Sequence, residues 1–412
     1  MTDLALSPLP LLPLSLRSID VLVYRAPLKT PVQTSFGIMH ERPALLLRIT
    51  DQDGSEGWGE VWCNFPAIGA EHRARLLQSV LAPLALATPW RSPQSMFQSL
   101  TRQTAVLAIQ SGEPGPIAHC IAGLDIAAWD LVARRKGQPL WQLLGASTHR
   151  IGVYASGLNP DAPETLAAQC QREGYKAFKL KVGFGNDRDL RNLAQLRSTL
   201  GADAILMVDA NQAWSREQAL AFVPHLQPFG LAWLEEPLRA DVPWYEWQSL
   251  QAVSDIALAA GENVAGSENF QAAISAGALT VIQPDLAKWG GFSGCLPVAR
   301  QILQAGLRFC PHYLGGGVGL VASAHLLAAA GGDGMLEIDA NPNPLRTLLW
   351  GPLATVHNGQ CELGTGPGLG VVPDLAAIAP YRIDQGAVTV TDCQPRAARQ
   401  PGAGGLTFRD TE

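Results

Sequence analysis

From residue 151 onward the sequence keeps to one pattern: a short apolar run, a helix-length segment, then another apolar run. The runs cover 151–155, 177–182, 204–208, 231–234, 256–260, 279–283, 307–310 and 335–338. Polar residues close or follow them: Lys181, Asp209, Glu235, Glu262, Asp285, His312 and Glu337, at intervals of 28, 26, 27, 23, 27 and 25 residues. That spacing is too long for hairpins and suits strand–helix–strand units with parallel strands. Eight such strands predict an α/β fold of the (β/α) barrel type, with the polar residues gathered at the C-terminal mouth. A doubly wound open sheet is the competing arrangement.

The 412 residues exceed one ordinary core, and the first 145 read differently. Ile19–Tyr24, Ala44–Ile49 and Gly57–Val61 read as strands, the last two joined by the turn at 51–54. Residues 29–40 read as a long loop and 62–69 as a second irregular stretch. From Glu71 to Gly145 the pattern is helical, clearest where Leu124, Ala127, Ala128, Leu131 and Val132 recur at helical spacing. An α+β domain over 16–145 thus precedes a barrel over 146–345. Residues 1–15 and 383–412 are expected to be loose tails, with a loop-rich segment over 346–382.

Composition narrows the partners. Hydrophobic residues make up 47% of the chain and charged ones 16%, so it should fold. The net charge is −6 without a basic tract, which argues against nucleic acid. Seven scattered cysteines with no C-x-x-C pair read as reduced thiols of a cytoplasmic protein. The N-terminal 16 residues lack a basic start and are broken by prolines, unlike a signal peptide. No apolar stretch approaches the ~20 uninterrupted residues of a membrane helix.

The strand ends carry the chemistry. Lys179 and Lys181 point the same way because side chains alternate along a strand. Lys179 is expected to push the Lys181 pKa down and make it a base near neutral pH. A lone K-x-K more often lies on a solvated strand, so its neighbours matter. Asp209, Glu235 and Glu262 end three consecutive strands, and three acids converging need a cation; all-oxygen ligands suit Mg²⁺ or Mn²⁺. Any one of them alone would read as a surface acid. Glu235 takes the inward position, leaving Glu236 a supporting one. Asp285 ends the strand before His312 and can fix its tautomer. Lys181 ends the second strand and His312 the seventh, placing an acid/base group on each side of the mouth. Gly315-Gly316-Gly317-Val318-Gly319 is no nucleotide fingerprint and reads as a flexible loop. A nucleophile elbow and a P-loop are absent from the sequence.

Taken together, Lys179-x-Lys181, Asp209-Ala-Asn211, Trp233-Leu-Glu235-Glu236-Pro237, Gly261-Glu262-Asn263, Gln283-Pro284-Asp285 through Lys288-Trp289-Gly290-Gly291, His312 and Glu337 resemble the enolase superfamily, in its mandelate racemase subgroup. The resemblance runs from about residue 16 to 382. It implies a modified (β/α)₇β barrel whose α+β cap is completed by the 346–382 segment. It implies Mg²⁺ on Asp209, Glu235 and Glu262, and an enediolate formed by removing the α-proton of a small carboxylate substrate. Lys181 and the Asp285–His312 pair would be the acid/base groups, with Lys179 beside them. Glu337 would hydrogen-bond the substrate as a protonated acid, while Asn211, Glu236 and Lys288 would support the site. Loops 29–40 and 62–69 would close it, with Thr34, His40 and Asn64 suited to a polyol, although Phe36, Met39 and Phe65 lie there too. A homo-oligomer is implied as well. The run Leu336 to Arg346 looks most like acid-sugar dehydratases and sugar-lactone cycloisomerases. Dehydration of a sugar acid is therefore the expected reaction; racemisation, epimerisation or lactone cycloisomerisation is the alternative. A small-molecule binding protein without catalysis is the reading from another class.

Overall fold

The fold is described from a computed structural model over residues 12–34 and 37–391. Strands β1 (Leu16–Thr34), β2 (Gly37–Asp51) and β3 (Glu56–Val61) form an antiparallel cap sheet. Ile19, Val21 and Val23 alternate on β1 and are fully buried. The helix Pro114–Arg135 packs on this sheet with nearly every side chain inside. It is long and apolar enough to cross a membrane, yet 83% of the apolar window is buried in the protein, as in a core helix.

Eight parallel strands follow: β4 (Arg150–Leu158), β5 (Ala177–Lys181), β6 (Ile205–Asp209), β7 (Leu231–Glu235), β8 (Leu258–Ala260), β9 (Val281–Ile282), β10 (Arg308–Phe309) and β11 (Met335–Asp339). A helix joins each to the next, and β11 returns to pair with β4, giving the (β/α)₇β barrel. Between β10 and β11 the Met335 N–H reaches Cys310 Sγ at 3.4 Å. A short strand β12 (Gln360–Glu362) runs antiparallel beside β4.

The barrel lumen is filled in layers. Tyr154, Ala177, Met207, Trp233, Ala259, Val281, Cys310 and Met335, one from each strand or its end, form a separate apolar cluster inside it. This plug closes the barrel beneath the strand ends.

Three expected boundaries change. Residues 12–15 are not a loose tail: Leu12 and Leu14 are buried, and Leu14 exchanges backbone bonds with Trp90. Residues 383–391 are not a tail either. Strand β13 (Arg382–Thr391) pairs with β1 and becomes the fourth strand of the cap sheet. Within the 29–40 stretch, residues 29–34 and 37–40 belong to the paired strands β1 and β2 rather than to a loop, with an irregular register between Pro27 and Val32 accommodating the prolines. The return to the cap is as expected: Asp130 on the long cap helix accepts the N–H groups of Trp58 and Leu369. The six cysteines among the described residues are free and buried; Cys393 lies outside them.

Candidate active site

Two places beyond each residue of the apolar plug, the side chain faces the lumen again, one layer nearer the mouth. That layer reads Ser156, Lys179, Asp209, Glu235, Gly261, Gln283, His312 and Glu337. The sheet thus converts a period-two alternation into a ring of polar groups. Ser156 and Gln283 carry no charge and do not stand out in sequence. Register reveals them: Ser156 Oγ bonds Glu337, and Gln283 Nε2 donates to Glu235 Oε2 at 2.7 Å.

The ring is dense with ion pairs. Lys179 Nζ lies 2.6 Å from Glu235 Oε1, 2.8 Å from Glu337 Oε1 and 3.8 Å from Asp209 Oδ2. Lys181 Nζ donates to Asp209 Oδ2, and to Asn211 Oδ1 at 2.8 Å. His312 Nδ1 meets Asp285 Oδ2 at 2.8 Å, while Nε2 faces Glu262. Asp285 is itself fixed, because Oδ1 accepts the Ala287 N–H at 2.8 Å. Lys288 pairs with Glu262 at 3.2 Å, beneath the Trp62 ring of the cap at 5.0 Å. Glu236, with a φ of 39°, is buried and accepts from Gln212 and Asn263.

Two protonation expectations are corrected. Lys181 does not end with a depressed pKa. Burial lowers it most and Lys179 also pushes it down, but Asp209, Glu235 and Glu337 together outweigh burial and Lys179, and the net shift is upward. Each ammonium has its own carboxylate, so attraction exceeds the mutual repulsion. Glu337 is not a protonated acid: burial opposes its charge, yet Lys179 and His312 hold it down at about 2. His312 would be depressed by burial, but Glu262, Glu337 and Asp285 raise it to about 10, which keeps it an imidazolium.

The cap contributes less than expected to the ring. Asn64 is buried and its amide donates to the Leu314 carbonyl at 2.6 Å, so it holds the barrel loop instead of presenting a free polar group. His40 is exposed and lines a groove with Ile38, Met39 and Phe65. The side chains of Thr34 and Phe36 lie outside the described residues. The glycine run after His312 is closely packed: a Cβ on Gly316, Gly317 or Gly319 would meet Glu60, Leu349 or Tyr313.

Six carboxyl groups (Asp209, Glu235, Glu236, Glu262, Asp285 and Glu337) lie near four cations (Lys179, Lys181, Lys288 and His312) in one network, in which Lys181, Glu262 and Lys288 are half-buried and the rest buried. The excess is negative. Burial pushes Glu235 up to about 7 against the pull of Lys179, and the neighbouring Asp209 and Glu337 add to the rise. Among the described residues no three acids or histidines are drawn into a closed metal cluster. Asp209, Glu235 and Glu262 are each turned toward a protein cation instead. Hard oxygen donors on neighbouring strand ends, Asp209 directly opposite Glu235 in register, together with surplus negative charge, fit a divalent ion such as Mg²⁺.

Comparison with known proteins agrees with this architecture. Residues 18–145 match the mandelate racemase/muconate lactonizing enzyme N-terminal domain, and residues 164–377 the enolase C-terminal domain-like family. The chain belongs to the mandelate racemase/muconate lactonizing enzyme family. Within that family it is 31% identical to D-galactarolactone cycloisomerase of Agrobacterium fabrum, over 86% of this chain and 96% of that one. A mandelate racemase/muconate lactonizing enzyme structure from Bordetella bronchiseptica RB50 is 56% identical, with a TM-score of 0.86, covering 90% of this chain and 99% of that one. A mutant of L-talarate/galactarate dehydratase, liganded with Mg and L-glucarate, is 26% identical with a TM-score of 0.78, covering 91% and 92%. Members of this family thus include lyases and isomerases, and a structural neighbour carries magnesium.

Proposed function

We propose that the protein removes the α-proton of a sugar-acid carboxylate and then expels the β-hydroxyl as water. The observation that carries this reading is the pair of proton-transfer groups on opposite sides of one mouth: Lys181 at the end of the second barrel strand, and His312 with its Asp285 beyond the seventh. Asp209, Glu235 and Glu262 would hold Mg²⁺. When bound, that ion supplies positive charge to the oxygens on which negative charge develops.

Lys181 takes the α-proton in its neutral form. Asp209 opposes that form, so base action requires Asp209 to be engaged with another cation. The C–H electrons pass into an enediolate; they return to break the β C–O bond. His312, an imidazolium held by Asp285, delivers the proton that leaves with the hydroxyl as water. The enol product becomes a 2-keto-3-deoxy acid. Lys179, fully buried among acids, places a fixed positive charge beneath the substrate carboxylate.

The likeness to a galactarolactone cycloisomerase favours a second reading, in which the same first step opens a sugar lactone without loss of water. A screen of mono- and diacid sugars and their lactones with Mg²⁺ separates the two. A 2-keto-3-deoxy product is expected from an acid. A keto-deoxy product formed from the lactone by ring opening, with none formed from the open-chain acid, selects the second reading, and racemisation of a hydroxy acid without keto product sinks the dehydratase.

A further inference from the structure

The glycine run after His312 is built around a residue of the cap. Glu60 lies on β3 and is 2% exposed. Its Oε1 accepts the Gly316 N–H at 2.5 Å and its Oε2 the Gly319 N–H at 2.9 Å. The Tyr313 hydroxyl hydrogen-bonds the same carboxylate. Glu60 therefore caps the helix Gly317–Ala330 from another domain, where free N–H groups and the helix dipole favour an anion. The glycines permit this closeness. A Cβ on Gly316 would lie 2.6 Å from Glu60 Oε1, and one on Gly319 would lie 2.1 Å from the Tyr313 hydroxyl oxygen.

Asn64 adds a second tie through the Leu314 carbonyl. The chain from Tyr313 to Gly319 is thus fastened to the cap at both ends, and the residue just before it is His312. On the barrel side His312 is held by Asp285 and by its own N–H to the Pro284 carbonyl. A buried carboxylate is a costly way to fill space, and an apolar side chain would pack there at less cost. What a carboxylate adds is a fixed direction for several donors at once.

We propose that Glu60 is a positioning residue: reaching from the cap, its carboxylate sets the placement of His312, so proton transfer on the His312 side depends on this one cap contact and transfer on the Lys181 side does not. This rests on the acid/base reading above.

The test uses deuterium incorporation at C2, followed by NMR in D₂O, for the full chain with Mg²⁺ and a panel of C2-epimeric aldonates and aldarates. Lys181→Ala and His312→Asn first assign each epimer to one side. Glu60→Gln keeps the shape but turns one acceptor into a donor. It is expected to slow exchange of the His312-side epimers by about 100-fold, as for a misplaced catalytic group, and the Lys181-side epimers by less than about threefold. Gly316→Ala, which drives a methyl into the carboxylate, should show the same bias, and Asn64→Ala a weaker one. If Glu60→Gln fails to give a native melting curve, the latter two variants decide. Equal loss on both sides, or no loss on either, in a folded variant overturns the proposal while leaving the acid/base reading standing. A wild-type protein that exchanges no epimer overturns the acid/base reading, and the role of Glu60 falls with it.

Discussion

Lys181 and His312 face each other across the barrel mouth but are held in different ways. Lys181 is the last residue of β5, directly in register with Asp209 on β6, and both its hydrogen-bond partners follow from that ladder. His312 lies beyond β10, a strand of two residues, and depends on parts brought from elsewhere: Asp285, Glu262 and, through the next turn, Glu60 and Asn64 of the cap. One group is placed by the sheet and the other by assembly. The difference teaches where each half of the chemistry is exposed to change: the Lys181 side tolerates a remodelled cap, and the His312 side does not.

The largest effects should come from removing the groups themselves. Lys181→Met and His312→Asn are each expected to cut exchange on their own side by about 10³-fold and to leave the other side within a few-fold, measured as α-deuteration of epimeric acids. Loss of both sides in either variant breaks the division into two. Removal of divalent ions by EDTA is expected to abolish both sides alike, with recovery on adding Mg²⁺, because Asp209, Glu235 and Glu262 serve both. Loss on one side only would separate the ion from the shared step.

The same contrast explains what could be seen in the sequence. The eight barrel strands were visible because each is an apolar run and all but the first are closed or followed by a polar residue that can carry charge, which is out of place at the end of a buried strand unless used. The ring members Ser156 and Gln283 were not, because only their register, two residues above the apolar plug, marks them. The use of Asn64 was hidden for a different reason: its partner is a backbone carbonyl 250 positions away. The ionisation of Lys181 was misread because it depends on the distance to Asp209, which no spacing reports. Strand β13 carries the alternation Val388-Thr389-Val390-Thr391, but its partner β1 lies at the other end of the chain.

A second cap–barrel contact sharpens the comparison. Asp339 at the end of β11 pairs with Arg42 of the cap at 2.6 Å and with Arg346 at 3.2 Å, all three buried. Asp339→Asn leaves two buried guanidiniums without a carboxylate and is expected to cost about 3–5 kcal/mol in urea unfolding. The latch side chains pair with Asp339 rather than with Glu60 or Asn64, although the Arg346 carbonyl borders Gly317. Its loss should therefore lower stability without favouring either epimer. A bias against the His312 side would mean that any loosening of the cap, and not Glu60 in particular, displaces His312.

The smallest expected effect concerns the far side of the helix that Glu60 caps. His325 lies within Gly317–Ala330, buried, with Nδ1 accepting the Trp141 N–H at 2.9 Å and Nε2 facing the Leu369 carbonyl at 3.2 Å. Burial lowers its pKa from 6.5 to about 4, so the folded protein keeps it neutral. A proton on Nδ1 would remove the acceptor for Trp141. Because the folded value is depressed, its stabilisation is present above the unfolded pKa. It is lost as pH falls from about 6.5 through about 4, up to about 3 kcal/mol. Urea midpoints across this range should fall for the wild type and less steeply for His325→Gln, which cannot titrate. Equal slopes would show that the helix behind His312 is anchored without His325, leaving Glu60 and Asn64 to hold that side of the mouth.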